Sequence, residues 1–461
     1  MKKNKMKNIL LEDTIVAIIT PPGEGGIAAL RIAGNDARSI LSKHFKPQQK
    51  NRGVKPFLMR FGFFVDDSKN VIDEIMTVYM PAGKSYTGCE QVEIFCHGGR
   101  QVVRLIQDTI IGSGARMAEP GEFTKLAFLA GKIDLTKAES VAEIISANTS
   151  SSFETAREHL LGAYSEHIGM LREQLIDILA EIEASIDYPE EEIDPKDQEK
   201  LISDFDDLLG KISELKKSYK GGRIINEGFK IAIGGRPNAG KSSLFNLLLR
   251  QQRALVTPKA GTTRDYLSEW IDIDGFKVNI IDTAGLRKAG GTIEKEGQKS
   301  AKSILKSADL VLWLVDISSK GYKKQIETDL QDITNNHILK LYNKIDKSAS
   351  SPEHPDTDTI LISCKTEKGI SQLKKEISAR INATIPDLTA GVVVTSARHK
   401  QKFSNAEKMI KAARDKCLEK ESPELPAFDL REALKELDEI TGKVYNEDIL
   451  GRIFAKFCIG K

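Results

Sequence analysis

The sequence has little cysteine and no long apolar run. Its 461 residues contain five cysteines, and no two of them are spaced as C-x-x-C. An odd, sparse cysteine count argues against a disulfide framework or a zinc ribbon and favours a reducing compartment. No stretch approaches the roughly 18–20 apolar residues of a membrane span. The opening residues, MKKNKMKNILLEDT, lack the apolar core of a signal peptide. We therefore expect a cytoplasmic protein that does not enter a membrane.

An excess of charge of either sign is also missing. The chain has 68 lysines and arginines against 66 aspartates and glutamates, a net charge of +2. Overall charge therefore neither requires nor excludes a nucleic-acid partner, and any basic surface must be local. The length is sufficient for roughly three domains of about 150 residues each.

The first two regions of the chain differ in pattern. Up to about residue 130, β-branched runs and glycine-rich loops predict mixed strand and loop. The second region has apolar residues three and four apart, typical of one face of a long helix, and DYPEEEIDPKD interrupts it with two prolines. The two stripes are Leu161, Tyr164, Ile168, Leu171, Leu175, Ile178 and Ile182, then Leu201, Phe205, Leu208, Ile212, Leu215 and Tyr219.

From Phe229 the sequence alternates short apolar strands with helical segments, and a hairpin is predicted to turn at Asp274-Gly275. Such alternation favours a mostly parallel sheet covered on both faces. After about Pro386 the sequence is charged and helical again. We therefore predict a multidomain α+β and α/β protein, in which an α/β domain is inserted into a discontinuous helical domain. The predicted domains are residues 1–130, 131–228 (first helical part), 229–387 (α/β) and 388–461 (second helical part).

A phosphate-binding loop is predicted from GRPNAGKS, which contains Gly235-x4-Gly240-Lys241-Ser242 directly after a strand and before a helix. Glycines allow backbone N–H groups to surround phosphates, and a helix N-terminus adds partial positive charge. Lys241 is suited to the outer phosphates, and the Ser242 hydroxyl is suited to Mg²⁺.

Two further motifs follow in the order that a GTPase needs. DTAG, Asp282 to Gly285, closes a strand and offers a carboxylate for the Mg²⁺ shell. NKID, Asn343 to Asp346, offers a carboxylate that can accept two hydrogen bonds from guanine and none from adenine. The loop of Ser363, Cys364 and Lys365 follows another strand and is placed to back the base.

The position after DTAG is Leu286, which cannot orient an attacking water molecule. Glu294 and Glu296 follow on a glycine-flanked loop and offer an alternative, although surface glutamates are usually only solvated.

These motifs resemble those of translation-factor-class GTPases, with GTTRD (Gly261 to Asp265) at the switch I position and Thr263 as a Mg²⁺ ligand. GRPNAGKSSLFN, GTTRD and DTAGLR resemble the branch that includes Era, Der and MnmE (TrmE). TPPGEGGIAALRI, SYTG…E…CHGG, PGEFT…AF…GKIDL, DYPEEEI and the final CIGK resemble MnmE in particular, over essentially the whole chain. The GTP-binding residues on this basis are Asn238, Ala239, Gly240, Lys241, Ser242, Ser243, Thr257, Thr262, Thr263, Asp282, Thr283, Ala284, Gly285, Asn343, Lys344, Asp346, Ser363, Cys364 and Lys365.

The resemblance implies a homodimeric tRNA-modifying GTPase. Members of this family work with the flavoprotein MnmG (GidA), in a heterotetramer, to build an aminomethyl-type group on C5 of the wobble uridine of tRNA. The N-terminal domain is similar to tetrahydrofolate-dependent one-carbon enzymes, which implies dimerisation and a formyl-tetrahydrofolate site. The folate-binding residues implied are Arg31, Glu93, Lys132 and Lys461. Without the resemblance, Arg31 and Glu93 would be interpreted as edge-strand charges.

The resemblance also implies a K⁺-dependent hydrolysis site. Asn238 matches a side-chain ligand of K⁺, and Thr257, Lys259 and Thr262 of TPKAGT match the K⁺ loop. A cation there would neutralise charge that builds between the β- and γ-phosphates. The implied catalytic residues are Glu294, which falls on the water-orienting glutamate, Asp282 and Cys458.

The chain departs from the usual family pattern at a few positions. Cys89 replaces an acidic residue, Leu126 an arginine and Ala130 an asparagine, and Lys259 stands where a small or apolar residue is typical. The first three bear on the folate pocket and leave Arg31, Glu93 and Lys132 in place.

Alternative interpretations remain open at this stage. One is an Era- or Der-like ribosome-assembly GTPase, although the chain has neither a second phosphate loop nor a G-x-x-G module of the KH type. Another is a one-carbon transferase with a regulatory GTPase domain and no RNA. The final FCIGK could be a lipidation box, which Lys461 does not fit, or a frayed terminus. Its Cys458 is either a thiol near the one-carbon site or a buried structural cysteine.

Overall fold

A computed structural model describes residues 13–48, 55–187, 195–251, 267–283, 294–319, 321–331, 337–347, 358–385 and 392–461. The strands are β1 Ile15–Ile18, β2 Gly25–Ala33, β3 Phe45–Pro47, β4 Arg60–Val65, β5 Val71–Met80, β6 Gln91–Gly98, β7 Arg116–Met117, β8 Phe229–Gly235, β9 Leu267–Ile273, β10 Phe276–Asp282, β11 Leu310–Asp316, β12 Ile338–Asn343 and β13 Thr359–Leu361.

The helices alternate with these strands in the α/β region and run consecutively elsewhere. They are α1 Ala37–His44, α2 Arg100–Gly112, α3 Glu122–Leu129, α4 Leu135–Ser146, α5 Ser150–Leu161, α6 Ala163–Asp187, α7 Pro195–Glu227, α8 Lys241–Gln251, α9 Glu294–Ser307, α10 Tyr322–Gln331, α11 Ile370–Thr384, α12 Ala397–Leu418, α13 Glu424–Thr441 and α14 Glu447–Phe454. None of the helices within these described ranges is long and apolar enough to cross a membrane.

The chain divides into two compact units. The first comprises Met1–Ala142, His159–Glu173 and Leu434–Lys461, and the second comprises Glu143–Glu158 and Gln174–Ala433. The first unit therefore combines the two ends of the sequence, and the second contains the predicted α/β region.

A seven-stranded sheet forms the first unit, in the order β3-β4-β5-β6-β2-β1-β7. All neighbouring strands are antiparallel except β1 and β7. Because side chains alternate along a strand, one face of the sheet buries its apolar residues under α1 and α2. On the other face, Phe123 and Leu126 of α3 pack on Ile15 and Ala17 of β1.

A six-stranded sheet forms the centre of the second unit, in the order β13-β12-β11-β8-β10-β9. All of its pairs are parallel except β9 with β10. Asp274 and Gly275 join these two strands with positive φ angles of 50° and 85°, as a tight hairpin turn requires. The predictions of a parallel sheet and of this hairpin are confirmed.

The first helical stripe begins later than predicted. Leu161 ends α5 and is 69% exposed, because Gly162 has a φ of 109° and breaks the helix before α6 begins. The other members of that stripe are buried on α6. The predicted interruption is confirmed, since α6 ends at Asp187 and α7 starts at Pro195. Proline is tolerated at the start of a helix, because the N–H group that it lacks would have no partner within the helix.

The helices on either side of the α/β region pack together, as predicted for a discontinuous helical domain. Arg414 of α12 donates to Asp206 of α7 at 3.2 Å, and Lys216 of α7 pairs with Glu407 of α12. The backbone N–H of Val394 donates to the Ser218 hydroxyl at 3.0 Å.

Candidate nucleotide site and N-terminal site

The predicted nucleotide motifs meet at one edge of the second sheet. Since β8, β10, β12 and β13 are parallel, their carboxyl ends lie on the same side. The loop after β8, the last residue of β10, the last residue of β12 and the loop after β13 carry the four predicted motifs. Ligands of open α/β sheets bind at this edge.

The loop after β8 has the backbone of a phosphate-binding loop. Gly235, Asn238 and Gly240 have positive φ angles of 135°, 62° and 105°. Lys241 opens α8, and its Nζ donates to the carbonyls of Gly235 at 2.9 Å and Arg236 at 2.8 Å. The ammonium group is thus held against the loop whose N–H groups would receive phosphates.

Ser242 and Asp282 are joined across this loop. The Ser242 hydroxyl donates to Asp282 Oδ2 at 3.0 Å, and Asp282 is only 1% exposed. A hydroxyl and a carboxylate at this distance are the oxygen donors that Mg²⁺ prefers, so the residues fit that ion. The Thr283 hydroxyl donates to the Ile233 carbonyl at 2.7 Å, which fixes the start of DTAG against β8.

Asn343 links the phosphate loop to the loop after β13. Its Nδ2 donates to the Ala239 carbonyl at 2.8 Å, and its Oδ1 accepts from the Cys364 N–H at 3.1 Å. A Cβ at Gly240 would collide with the Asn343 amide, so glycine is required there. Three motifs that are far apart in sequence are therefore held in one frame.

Asp346 is oriented by Ser363. The Ser363 hydroxyl donates to Asp346 Oδ1 at 2.7 Å. This hydrogen bond lowers the pKa of Asp346, and the charges of Lys365 and Lys347 act in the same direction. By contrast, burial raises the pKa of the neighbouring Cys364 thiol to about 11. The site therefore presents an ionised carboxylate next to a neutral thiol.

Lys344 is held at two points. Its Nζ donates to the Asn238 carbonyl at 2.9 Å and to Asp316 Oδ2 at 2.6 Å. Asp316 is the last residue of β11, and sequence reasoning missed it. Its position after the apolar run LVLWLV, at the same sheet edge as Asp282, was the signal that could have found it.

Ser243 lies on α8. Glu294 begins α9, but its side chain is not among those described. The remaining residues discussed for GTP, Mg²⁺, K⁺ and water lie outside the described ranges, namely Thr257, Lys259, Thr262, Thr263, Ala284, Gly285 and Leu286.

In the first unit, Arg31 of β2 lies directly opposite Glu93 of β6. Arg31 Nη2 is 2.8 Å from Glu93 Oε1, and its guanidinium carbon lies 5.4 Å and 5.5 Å from the ring centres of Phe123 and Tyr86. Both charged side chains are largely buried on inner strands. The edge-strand interpretation of these two residues is therefore wrong.

Lys132 lies beside the loop between β5 and β6. Its Nζ donates to the carbonyl of Gly83. The same loop carries Tyr86, whose ring centre lies 5.5 Å from the guanidinium carbon of Arg31. The third predicted folate residue is therefore linked to the loop that also contacts Arg31.

The final residues pack against the N-terminal part of the first unit. Ile453, Phe454 and Phe457 are buried, as their apolar stripe predicts. The Phe123 N–H donates to the Lys461 carbonyl at 3.1 Å, and Gly460, with a φ of 98°, abuts the Ile18 carbonyl.

The tail is therefore packed on the first unit and is not frayed. It reaches Phe123, whose ring lies beside Arg31. Cys458 is exposed, so its interpretation as a buried structural cysteine is wrong.

Two of the departures from the family pattern, Cys89 and Leu126, are neighbours in the fold. Both belong to the same apolar cluster, which also contains Phe123. Burial raises the pKa of the Cys89 thiol, which keeps it neutral. An acidic and a basic residue of the usual pattern are thus replaced together by apolar neighbours. The third departure, Ala130, packs closely against Gly88.

The fold and the joined motifs define a P-loop GTPase. A family model described as the MnmE helical domain matches residues 135–458, and one described as GTP-binding protein TrmE N-terminus matches residues 14–132. The chain belongs to the MnmE family.

Relatives match over nearly the full length. The tRNA modification GTPase MnmE of Aquifex aeolicus (strain VF5) is 39% identical over 454 residues, which are 98% of this chain and 100% of the relative. The protein of the same name from Syntrophus aciditrophicus (strain SB) is 39% identical over 459 residues, with the same coverage. Among solved structures, an Era variant of Aquifex aeolicus bound to GDP and AlF4⁻ covers 39% of this chain and 66% of its own, with 25% identity and a TM-score of 0.27.

Proposed function

We propose that the GTPase cycle of this chain drives modification of the wobble uridine of tRNA. The full-length relatives are named tRNA modification GTPases, which supports tRNA as a partner and the cytoplasm as the location. The observation that best supports the GTPase site is that Asn343 bonds both to the phosphate loop, at Ala239, and to the loop after β13, at Cys364. This bridge supports a single rigid frame for the proposed phosphate and base contacts.

Each nucleotide-site residue has a role that follows from its chemistry. Asp346 accepts two hydrogen bonds from guanine, and Ser363 holds it in place. The Ser242 hydroxyl and the Asp282 carboxylate would hold Mg²⁺, which supplies charge neutralisation on the phosphates. Lys241, whose Nζ donates to the loop carbonyls of Gly235 and Arg236, would bind phosphate oxygens from the same position.

We assign the remaining hydrolysis residues from the family resemblance. Asn238, with its left-handed backbone, belongs to a K⁺ site that Thr257, Lys259 and Thr262 complete. Thr263 would add a Mg²⁺ ligand, and Glu294 would orient water in place of the position that Leu286 occupies. These assignments rest on sequence position, and the mutant tests in the Discussion address them.

The first unit is proposed to bind a one-carbon folate. The pair of Arg31 and Glu93 offers a cation for folate carboxylates and a carboxylate for the amino-pteridine edge, with aromatic rings beside it. Lys461 is tied by its carbonyl to Phe123, which connects the tail to this pair. With the flavoprotein MnmG, this site would supply the carbon of an aminomethyl-type group at uridine C5.

A partly exposed apolar row supports the homodimer. Phe61, Met76 and Phe95 lie side by side on β4, β5 and β6, on the same face as Arg31 and Glu93. Phe61 is 44% and Met76 38% exposed. Contiguous exposed apolar residues mark interaction sites, and we assign this face to a second copy of the chain.

One experiment separates the candidate functions. Nucleoside analysis of bulk tRNA from a strain that lacks this gene should show loss of the C5 substituent of wobble uridine. Unchanged tRNA nucleosides with accumulated ribosome precursors would instead favour an Era- or Der-like role. Loss of one-carbon metabolites with normal tRNA would favour a transferase without RNA.

A further inference from the structure

We propose that Asp316 is a positioning residue that sets how long the protein retains guanine nucleotide. The inference rests on the proposed nucleotide site. Asp316 would act through Lys344, by holding its side chain where it joins the NKID motif to the phosphate loop. No contact between Asp316 and the nucleotide is required.

The geometry of Lys344 leaves it dependent on Asp316. Lys344 has a φ of 68°, in the left-handed region that a lysine rarely adopts. Its long side chain has four rotatable bonds, so fixing it has an entropic cost. Two acceptors hold its ammonium, namely the Asn238 carbonyl at 2.9 Å and Asp316 Oδ2 at 2.6 Å. Asp316 is the charged acceptor, so its bond adds the attraction of two opposite charges, which the neutral Asn238 carbonyl does not supply.

Asp316 is itself held rigidly. Its Oδ1 accepts from the Ser318 N–H at 3.0 Å and from the Ser318 hydroxyl at 2.6 Å, which leaves Oδ2 for Lys344. Burial acts to raise the pKa of Asp316, but the hydrogen bonds of Lys344 and Ser318 outweigh it, so the pKa is lowered and the carboxylate is charged. Since β11 lies next to both β8 and β12, it can brace the loops that follow those two strands.

The proposed role of Asp316 affects retention of the nucleotide more than hydrolysis of GTP. Lys344 belongs to the NKID motif, which is proposed to bind the base, whereas Ser242 and Asp282 are proposed to hold Mg²⁺. Loosening Lys344 should remove one of the two side-chain links between the NKID motif and the phosphate loop, with Asn343 to Ala239 as the other, and so weaken the hold on the base. We therefore expect the effect of Asp316 in the dissociation rate of nucleotide, with turnover at saturating GTP little changed.

The test compares dissociation rates of a fluorescent GDP analogue in stopped-flow experiments. Asp316→Asn keeps the shape but removes the charge, and should release GDP faster by a factor on the order of ten. Turnover at saturating GTP should stay within about twofold. In a Lys344→Ala background, Asp316→Asn should have no further effect, because the partner is gone. An additive effect in that background would overturn the proposal.

A matched control lies at the other end of the same strand. Asp309 directly precedes β11, pairs with Arg223 and accepts from the Lys230 N–H at 2.9 Å. Its side chain is 16% exposed, compared with 23% for Asp316. Asp309→Asn should reduce thermal stability without faster GDP release. Equal release rates in Asp309→Asn and Asp316→Asn would mean that Asp316 has only a structural role.

Failure of the proposed nucleotide site would give a different result. If NKID contacts the base, Asp346→Asn should change the preferred base from guanine to xanthine. If that change occurs while Asp316→Asn releases GDP at the wild-type rate, only the role of Asp316 is wrong. If the change does not occur, the base-site assignment fails.

Discussion

The Ser363 hydroxyl donates to the Asp346 carboxylate at 2.7 Å, so the loop after β13 orients the last residue of the NKID motif. The same serine accepts from the Thr366 N–H at 3.2 Å, which fixes the loop. The base-side carboxylate is therefore oriented by the protein itself, and preorganisation of this kind favours affinity.

Asp346→Asn should weaken GTP binding and favour xanthosine triphosphate. The amide of asparagine offers a donor where guanine also offers one, and xanthine has an acceptor at that position. Equilibrium titration with both nucleotides measures the change. Unchanged GTP affinity would contradict the assigned base site.

Asn238→Ala should remove most of the stimulation of GTP hydrolysis by K⁺ while GTP binding stays largely intact. Na⁺ is smaller and should fit the site poorly. Turnover in KCl and in NaCl at matched ionic strength provides the comparison, with the wild-type chain as control. Equal turnover of the wild type in both salts would argue against a K⁺ site.

Glu294→Ala should reduce turnover by roughly 10²–10⁴-fold, the range of a positioned base or water-orienting group. Nucleotide affinity should change little, because Glu294 is assigned to water and not to GTP. Glu296→Ala, two residues further along α9, is a matched control that should retain activity. A loss of affinity without a loss of turnover would mark Glu294 as structural.

Cys458→Ser should abolish tRNA modification in vivo while the GTPase rate and thermal stability stay near wild type. The thiol is exposed, so its replacement removes no packing. Cys417→Ser is a useful contrast, since burial raises the pKa of that thiol to about 11 and keeps it neutral. Normal modification by Cys458→Ser would show that the thiol is not needed.

Gly460→Ala should displace the tail. The glycine has a φ of 98° and abuts the Ile18 carbonyl, so a methyl group there is both strained and crowded. We expect weaker binding of formyl-tetrahydrofolate, measured by calorimetry, with GTPase activity unchanged. Gly451→Ala, where a Cβ meets nothing, should leave folate binding as in the wild type.

Local features of the sequence predicted the strands, turns and helices around the nucleotide motifs well. The phosphate loop, the hairpin at Asp274-Gly275 and the helical stripes depend on residues that are neighbours in the chain. Leu161 was the exception, because a single glycine after it outweighed the apolar spacing. The pattern alone does not show whether a glycine will break a helix that the apolar spacing predicts to continue.

Contacts between distant segments could not be predicted in this way. The pairing of Arg31 with Glu93 depends on the register of two strands 62 residues apart. The role of Asp316 depends on the placement of β11 between β8 and β12. A residue's neighbours across a sheet follow from topology, which the alternating pattern limits but does not fix.

The pairing of α7 with α12 has a consequence for biosynthesis. The partners Lys216 and Glu407 are 191 residues apart, and the whole α/β domain lies between them. During synthesis the apolar stripe of α7 therefore leaves the ribosome long before its cover exists. Folding of the intervening domain would bring its two ends close and reduce the entropic cost of closing this long loop. A ribosome-stalled chain that ends before residue 397 should bind hydrophobic dyes and chaperones, and release them once α12 emerges.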